Sequence, residues 1–387
     1  MSKKIALWGP GQDDPVLREF KDALAAEWVR RGYVYDDSEM PDAEVVFNFI
    51  NVDKPKPFRR RRRSNYVTIV SSLPERPDDV LRYEYPLMVR GLANLGMLVV
   101  PGDACHFVTP ERGFYSVPDP GDLDLWVRGV VDRITPLATS RLVIDNRFDD
   151  DLEPELWDGD ELTRGLLEAG RRLDALGLLP APFPLEELVD EKELRAIKRI
   201  YGIGGLSYGN LSVRKDDVRF WMSASGVDKS NLQTVGKDVL MVKDYEQATG
   251  TMVLSVPPGI EPNRVSVDAI EHWMIYQEHL DVNAIVHVHA WIPGIRATEF
   301  NYPCGTAELA IAVADIIREE PSPSHSVVGL KNHGITVTGS IRSKMSSRLV
   351  PVTVMPWFLR PTTECDGLGS SRMMSATAIA SSAVPQG

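Results

Sequence analysis

The sequence predicts an α/β protein in two parts. Three observations carry that prediction. The chain has 387 residues, more than one domain ordinarily holds. Its start reads strand, glycine turn, helix, strand, the signature of a doubly wound sheet. Its second half alternates short apolar runs with helical patterns, and one of those runs carries two histidines separated by a single residue. The division expected is an N-terminal doubly wound-like α/β domain over residues 1–145, an acidic linker over 146–160, a second α/β domain over 161–340 and an atypical tail over 341–387.

In the N-terminal part, Ile5-Ala6-Leu7-Trp8 is an apolar run that ends at Gly9-Pro10-Gly11. From Pro15 to Arg31 the residues Val16, Phe20, Leu24 and Trp28 recur at helical spacing. Val45 to Phe49 and Tyr66 to Val70 are the next strands predicted. The glycine turn lacks the full phosphate-loop fingerprint, and Pro10 removes a backbone donor, so it reads as an ordinary tight turn. Arg59 to Arg63 is an unbroken arginine run after a proline-broken segment. It reads as a solvated loop, with an anionic ligand as the sharper alternative.

Composition narrows the function classes. A net charge of −12 argues against a nucleic-acid binder that works by global charge. Three scattered cysteines are too few for a disulfide framework or a thiolate zinc site. The sequence has no apolar run of membrane-spanning length, and Met1 to Ile5 is not followed by a signal-type core. A cytoplasmic protein with a small-molecule substrate is the expectation, with neither nucleic acid nor membrane as partner.

In the second part, Leu162 to Leu179 is predicted helical from its leucine spacing, and Glu191 to Tyr201 is helical again. Gly209 to Arg214 and Trp221 to Asp228 place small-residue turns at the ends of apolar runs, where backbone N–H groups and hydroxyls can meet an anion. Val267 to Leu280 is the helix of most interest. Asp268 and His272 lie four residues apart and share a face, and Ser266 is its expected cap. Ala284 to Val286 then leads as a buried strand into His287-Val288-His289. Alternate strand residues share a face, so the two imidazoles stand side by side, and His333 can supply a third. Three imidazoles leave one position open on a zinc-like ion, as in catalytic zinc centres.

These blocks together resemble the class II aldolase/adducin family over residues of about 160–340. The matching pieces are Gly209-Asn210-Leu211-Ser212-Val213-Arg214, Ser223-Ala224-Ser225-Gly226, Asp268 to Tyr276, His287-Val288-His289, Tyr302 to Leu309 and Lys331-Asn332-His333-Gly334. The resemblance implies an α/β/α sandwich around a largely antiparallel sheet, in a homotetramer. It implies that His287, His289 and His333 bind Zn2+, for which manganese, cobalt or iron are possible substitutes. It implies that Asn210, Ser225, Gly226 and Ser266 cradle a substrate phosphate, that Asp268 is the acid/base, and that Tyr302 falls near the position of a tyrosine acid. Val267 stands where phosphate-binding members often carry a second serine, and the segment after Ser340 departs from the family's closing helix.

The activity so implied is that of a metal-dependent lyase, an aldolase. It would cleave or form a C–C bond in a sugar phosphate or sugar acid through a metal-stabilised enediolate. A 4-epimerase working by retro-aldol and aldol steps is the neighbouring alternative. A non-catalytic adducin-like scaffold is the alternative from another class, and a complete histidine set speaks against it.

Overall fold

A computed structural model of the chain describes residues 3–9, 14–36, 38, 41–59, 66–109, 114–175, 191, 209–289, 292, 294–331 and 334–340. Two sheets organise these residues. The first contains seven strands, β1 (Lys4–Trp8), β2 (Val34–Tyr35), β3 (Val45–Phe49), β4 (Tyr66–Ser72), β5 (Leu95–Val100), β6 (Ala104–Val108) and β7 (Phe114–Pro118). Their order is β2-β1-β3-β4-β5-β6-β7, parallel as far as β5 and antiparallel from β5 to β7. Helices cover both faces, so its central strands are buried along nearly their whole length rather than on alternate residues.

Helix α1 (Pro15–Arg30) starts where the sequence says it must. Asp14 caps it by accepting from the backbone N–H groups of Val16 and Leu17, and Pro15 occupies its first turn. Its Leu17, Phe20, Leu24 and Trp28 enter a core with Phe47, Phe49 and Met97 on one face of the sheet. Helix α2 (Val80–Arg90) packs on the opposite face with Val46, Ile69 and Leu98. Helix α3 (Leu123–Ile134) returns to the α1 face, and Arg31 ties the two helices by an ion pair to Asp132 at 2.7 Å. A short helix α4 (Pro136–Thr139) ends this unit.

One carboxyl lies wholly inside the first unit. Glu84 on α2 is fully buried, and burial pushes its pKa up to about 8, against the hydrogen bond that Ser71 donates to it. A pKa raised by folding means the folded state keeps a proton that the unfolded chain releases above about pH 4.5. The linked stability is lost as pH rises from there toward 8.

The second sheet contains eight strands, β8 (Asp145–Asp149), β9 (Asn210–Arg214), β10 (Phe220–Ser223), β11 (Val239–Glu246), β12 (Thr251–Ser255), β13 (Ala284–Val288), β14 (Val327–Leu330) and β15 (Gly334–Gly339). Their order is β14-β15-β13-β9-β10-β11-β12-β8, and every pairing is antiparallel except β12 with β8. Helix α5 (Glu161–Ala175) covers one face through Leu166, Ala169 and Leu173. Helices α6 (Ala269–Glu278) and α7 (Ala307–Arg318) cover the other. Helix, sheet and helix pair thus form the expected three-layer sandwich.

Two readings from sequence change. The acidic stretch 146–160, expected as a linker, supplies edge strand β8, and its Phe148 packs against the core while its charged side chains face outward. Charges on an edge strand protect its open side. Helix α6 begins at Ala269 rather than Val267, so Asp268 takes the cap position in place of Ser266, without capping the helix through its side chain. Helix α5 is described to Ala175, and the rest of the helix expected to Leu179 lies outside the described residues. So do most of the 191–201 helix, Arg60 to Arg63 and the whole tail from 341.

Glycine 170, in the middle of α5, is there for space. A Cβ at that position would lie 1.8 Å from the carbonyl oxygen of Lys229. Exchange of a helical glycine for alanine ordinarily stabilises by about 1 kcal/mol. Gly170→Ala is expected to do the reverse, lowering stability by more than about 1 kcal/mol in urea titration, because α5 must retreat from the turn it supports. In the first unit, Glu84→Gln is expected to raise stability by up to about 3 kcal/mol at pH 7. That gain should vanish near pH 4.5, measured by denaturant titration across that range.

Candidate active site

Strand β13 sorts its side chains between the two layers. Val286 and Val288 enter the core under α5, while Ile285 enters the core under α6 and α7. His287 shares the parity of Ile285 and so faces α6. The neighbouring strands repeat the division. His287 is paired in register with Asn210 on β9 and with Thr336 on β15, which sets all three on one face in a row across the sheet. Two close backbone approaches frame this row. Gly209 has φ +88°, and a Cβ there would lie 2.1 Å from the carbonyl oxygen of His287. Gly334 has φ +120°, and a Cβ there would lie 2.9 Å from the Cα of His289. Only glycine fits such positions without displacement of the backbone.

The N-terminal end of α6 descends onto that row. The Asn210 Nδ2 group donates to Asp268 Oδ2 at 2.8 Å and to Ser266 Oγ at 3.0 Å. Asp268 Oδ2 lies 4.0 Å from His287 Nε2. The rings of His287 and His289 are 5.1 Å apart, inclined by 69°. His287 and Asp268 are buried, whereas His289 is partly exposed just beyond the strand end. A buried carboxylate, two imidazoles and an amide therefore meet at one mouth of the sheet.

The Ser225-Gly226 turn borders the same mouth. Ala224 bridges to Val265, and the Ser225 N–H donates to the Arg264 carbonyl at 2.8 Å, which sets the turn beside Ser266. Both Ser225 and Gly226 are exposed, and Gly226 has φ +71°. Behind them Lys229 is buried. Loss of solvent lowers its amine to about 8, and the charges of Asp228 and Asp268 oppose that shift.

One turn along α6 from Asp268, His272 is wholly buried. Its Nδ1 lies 2.7 Å from Ser212 Oγ, which in turn lies 2.8 Å from the Tyr276 hydroxyl. No hydrogen-bond partner meets its Nε2 among the described residues. Burial lowers the His272 pKa to about 4, against the pull of Asp268. Burial likewise raises the Tyr276 hydroxyl.

Of the residues singled out from sequence, Asn210, Ser266, Asp268, His287 and His289 come together, with Ser225 and Gly226 at the border. Tyr302 has a different neighbourhood. It packs beside Phe300 and the α7 core, and burial and the charges of Glu299, Glu308 and Asp315 raise its hydroxyl. His333 lies outside the described residues, and among the described ones no group of three His, Cys, Asp or Glu side chains gathers within metal-binding reach. Two participants were not singled out, Glu271 and Thr336. Thr336 Oγ1 lies 3.4 Å from His287 Nδ1 and donates to Glu271 Oε1. A charge on a helix ordinarily faces solvent, so no local signal marks Glu271.

Residues 195–292 match the Class II Aldolase and Adducin N-terminal domain. Over this segment the chain is similar to the class II aldolase/adducin family. Methylthioribulose-1-phosphate dehydratase from Citrobacter koseri is 42% identical over 104 residues, which is 27% of this chain and 43% of that protein. The enzyme of the same name from Klebsiella pneumoniae is 38% identical over 81 residues, 21% of this chain and 34% of that protein. The chain thus spans less than half the length of these curated relatives. Among solved structures, an L-fuculose 1-phosphate aldolase aligns with 48% of this chain and 77% of its own at 19% identity and a TM-score of 0.32. The L-fuculose-1-phosphate aldolase of Thermus thermophilus aligns with 46% and 79% at 21% identity and a TM-score of 0.28.

The buried imidazole gives the site a pH dependence. A histidine whose pKa falls on folding stays neutral in the fold while the unfolded chain takes up a proton below about pH 6.5. Stability is therefore present above 6.5 and lost as pH falls toward 4. For His272 the loss over that window is expected to be about 3 kcal/mol. The difference between wild type and His272→Gln, followed by denaturant titration at pH 6.5 and 4, isolates it.

Proposed function

We propose that the open end of the second sheet is the centre of a divalent-metal-dependent lyase. Its substrate is a small hydroxylated carbonyl compound of the sugar-phosphate or sugar-acid class. The observation that carries this reading is the meeting of Asp268 and His287 at 4.0 Å, with the His289 ring 5.1 Å from that of His287. The donor set fits a divalent ion. His287 has its Nδ1 turned to Thr336 and its Nε2 toward the mouth of the site, and His289 stands beside it. His287, His289 and His333 would hold the ion. Zinc is the first choice, although imidazole ligands suit other first-row ions too. When bound, such an ion supplies Lewis-acid stabilisation of negative charge that develops on substrate oxygens.

The chain's own residues do the rest. Asp268 is the acid/base, and it exchanges a proton with the substrate hydroxyl or with the carbon next to the carbonyl. Asn210 holds Asp268 Oδ2 and thereby fixes the direction in which the carboxylate faces. With Asp268 only 2% exposed, water competes little for that proton. Ser266, Ser225 and Gly226 border the space where an anionic group of the substrate would sit, and Lys229 adds a nearby cation.

Two bond-breaking outcomes share this apparatus. Removal of a hydroxyl proton leads to C–C cleavage, the aldolase reaction expected from sequence. Removal of a proton next to the carbonyl, with departure of a β-hydroxyl, is elimination of water. The partial similarity to methylthioribulose-1-phosphate dehydratases favours the second.

A panel assay on the full chain loaded with zinc decides between them. Methylthioribulose 1-phosphate and a set of ketose 1-phosphates would be followed by NMR for dehydrated product or for two carbonyl fragments. Asp268→Asn is expected to reduce kcat by 10²–10⁴ with the metal retained. Replacement of His287 or His289 by Ala is expected to remove metal and turnover together. Turnover that survives metal removal would overturn the proposal.

A further inference from the structure

We infer that Glu271 is a positioning residue for His287, acting through the hydroxyl of Thr336. The inference rests on the reading of His287 as a metal ligand. Glu271 lies on α6, three residues after Asp268, and is 1% exposed. Its helix neighbours Ile270, Trp273 and Ile275 belong to the apolar core. A carboxylate in such surroundings costs free energy unless hydrogen bonds hold it. It is held by Thr336, whose Oγ1 donates to Glu271 Oε1.

That donation settles the direction of the next bond. A threonine hydroxyl has a single proton. With that proton given to Glu271, Thr336 Oγ1 can only accept from His287 Nδ1, 3.4 Å away. His287 is therefore protonated at Nδ1, and its Nε2 carries the lone pair toward Asp268 and the mouth of the site. The histidine, the threonine and the glutamate are each at most 1% exposed, so bulk water does not compete for the relay. In effect, a carboxylate reaches a metal-binding imidazole through one hydroxyl. Such outer partners fix ring orientation and raise ligand basicity, and their loss typically weakens metal binding 10–100-fold.

The test measures zinc affinity of the full chain by competition with a chromophoric chelator, for wild type, Glu271→Gln, Thr336→Val, Thr336→Ser and His287→Ala. Glu271→Gln and Thr336→Val are expected to bind zinc about 10–100-fold more weakly. Thr336→Ser, which keeps the hydroxyl, is expected to remain within about twofold of wild type, a rescue that packing alone does not provide. In ¹⁵N NMR of the imidazoles, the His287 Nδ1–H signal should persist in Thr336→Ser and be lost in Thr336→Val. If Glu271→Gln failed to fold, the valine and serine pair at 336 would decide. Wild-type affinity in both Glu271→Gln and Thr336→Val, with His287→Ala weakened, would overturn the relay and leave the ligand reading intact. An unchanged affinity in His287→Ala would overturn the ligand reading itself, and the relay with it.

Discussion

The register between β9, β13 and β15 is the constraint on which the candidate site depends. Side chains on a strand alternate, so a slip of one residue would send His287 to the α5 layer and Val288 to its place. The pairing of His287 with Asn210 on one side and Thr336 on the other aligns three polar groups in a row on one face of the sheet. Close glycine approaches at Gly209 and Gly334 hold the strand ends against the backbone of residues 287–289. The apolar residues on either side of β13 belong to two separate cores, and a slip would expose both to polar groups.

Helix α6 supplies the second half of the site, and its starting point matters more than its length. Because the helix begins at Ala269, Asp268 sits at the cap position, and its side chain makes no cap hydrogen bond. It turns instead to Asn210. The same helix then sends Glu271, His272 and Tyr276 into polar contacts with Ser212 and Thr336 on the sheet below. This buried layer is expensive unless every member is satisfied, and it ties the helix to the sheet in a single arrangement. A helix so tied keeps Asp268 at a set distance from His287.

The two units meet near the same end of the second sheet. The carbonyl of Arg133 accepts from the Asn301 N–H at 2.9 Å, and the Arg133 guanidinium donates to the Glu299 carbonyl. The Lys331 ammonium lies 5.2 Å from the centre of the Tyr115 ring on β7. Lys331 stands two residues before His333, so the first unit packs against the segment that leads into the third expected ligand.

Much of this was legible in the chain itself. The opening strand-turn-helix-strand pattern, the apolar faces of α1 and α5 and the parity of His287 with His289 all follow from periodicity, which is a local property. The likeness to class II aldolases rested on short blocks with fixed order, and the match over residues 195–292 bears out the family. What only the folded chain decided were contacts between segments far apart in sequence. The cross-strand row of Asn210, His287 and Thr336 joins positions more than 40 residues apart. The assignment of residues 145–149 to a sheet edge required β12 as its partner, and no local pattern in an acidic stretch announces that pairing. Likewise Glu271 reads from sequence as one more charge on a helix, because whether a charge faces solvent or a threonine depends on what the sheet places beneath it.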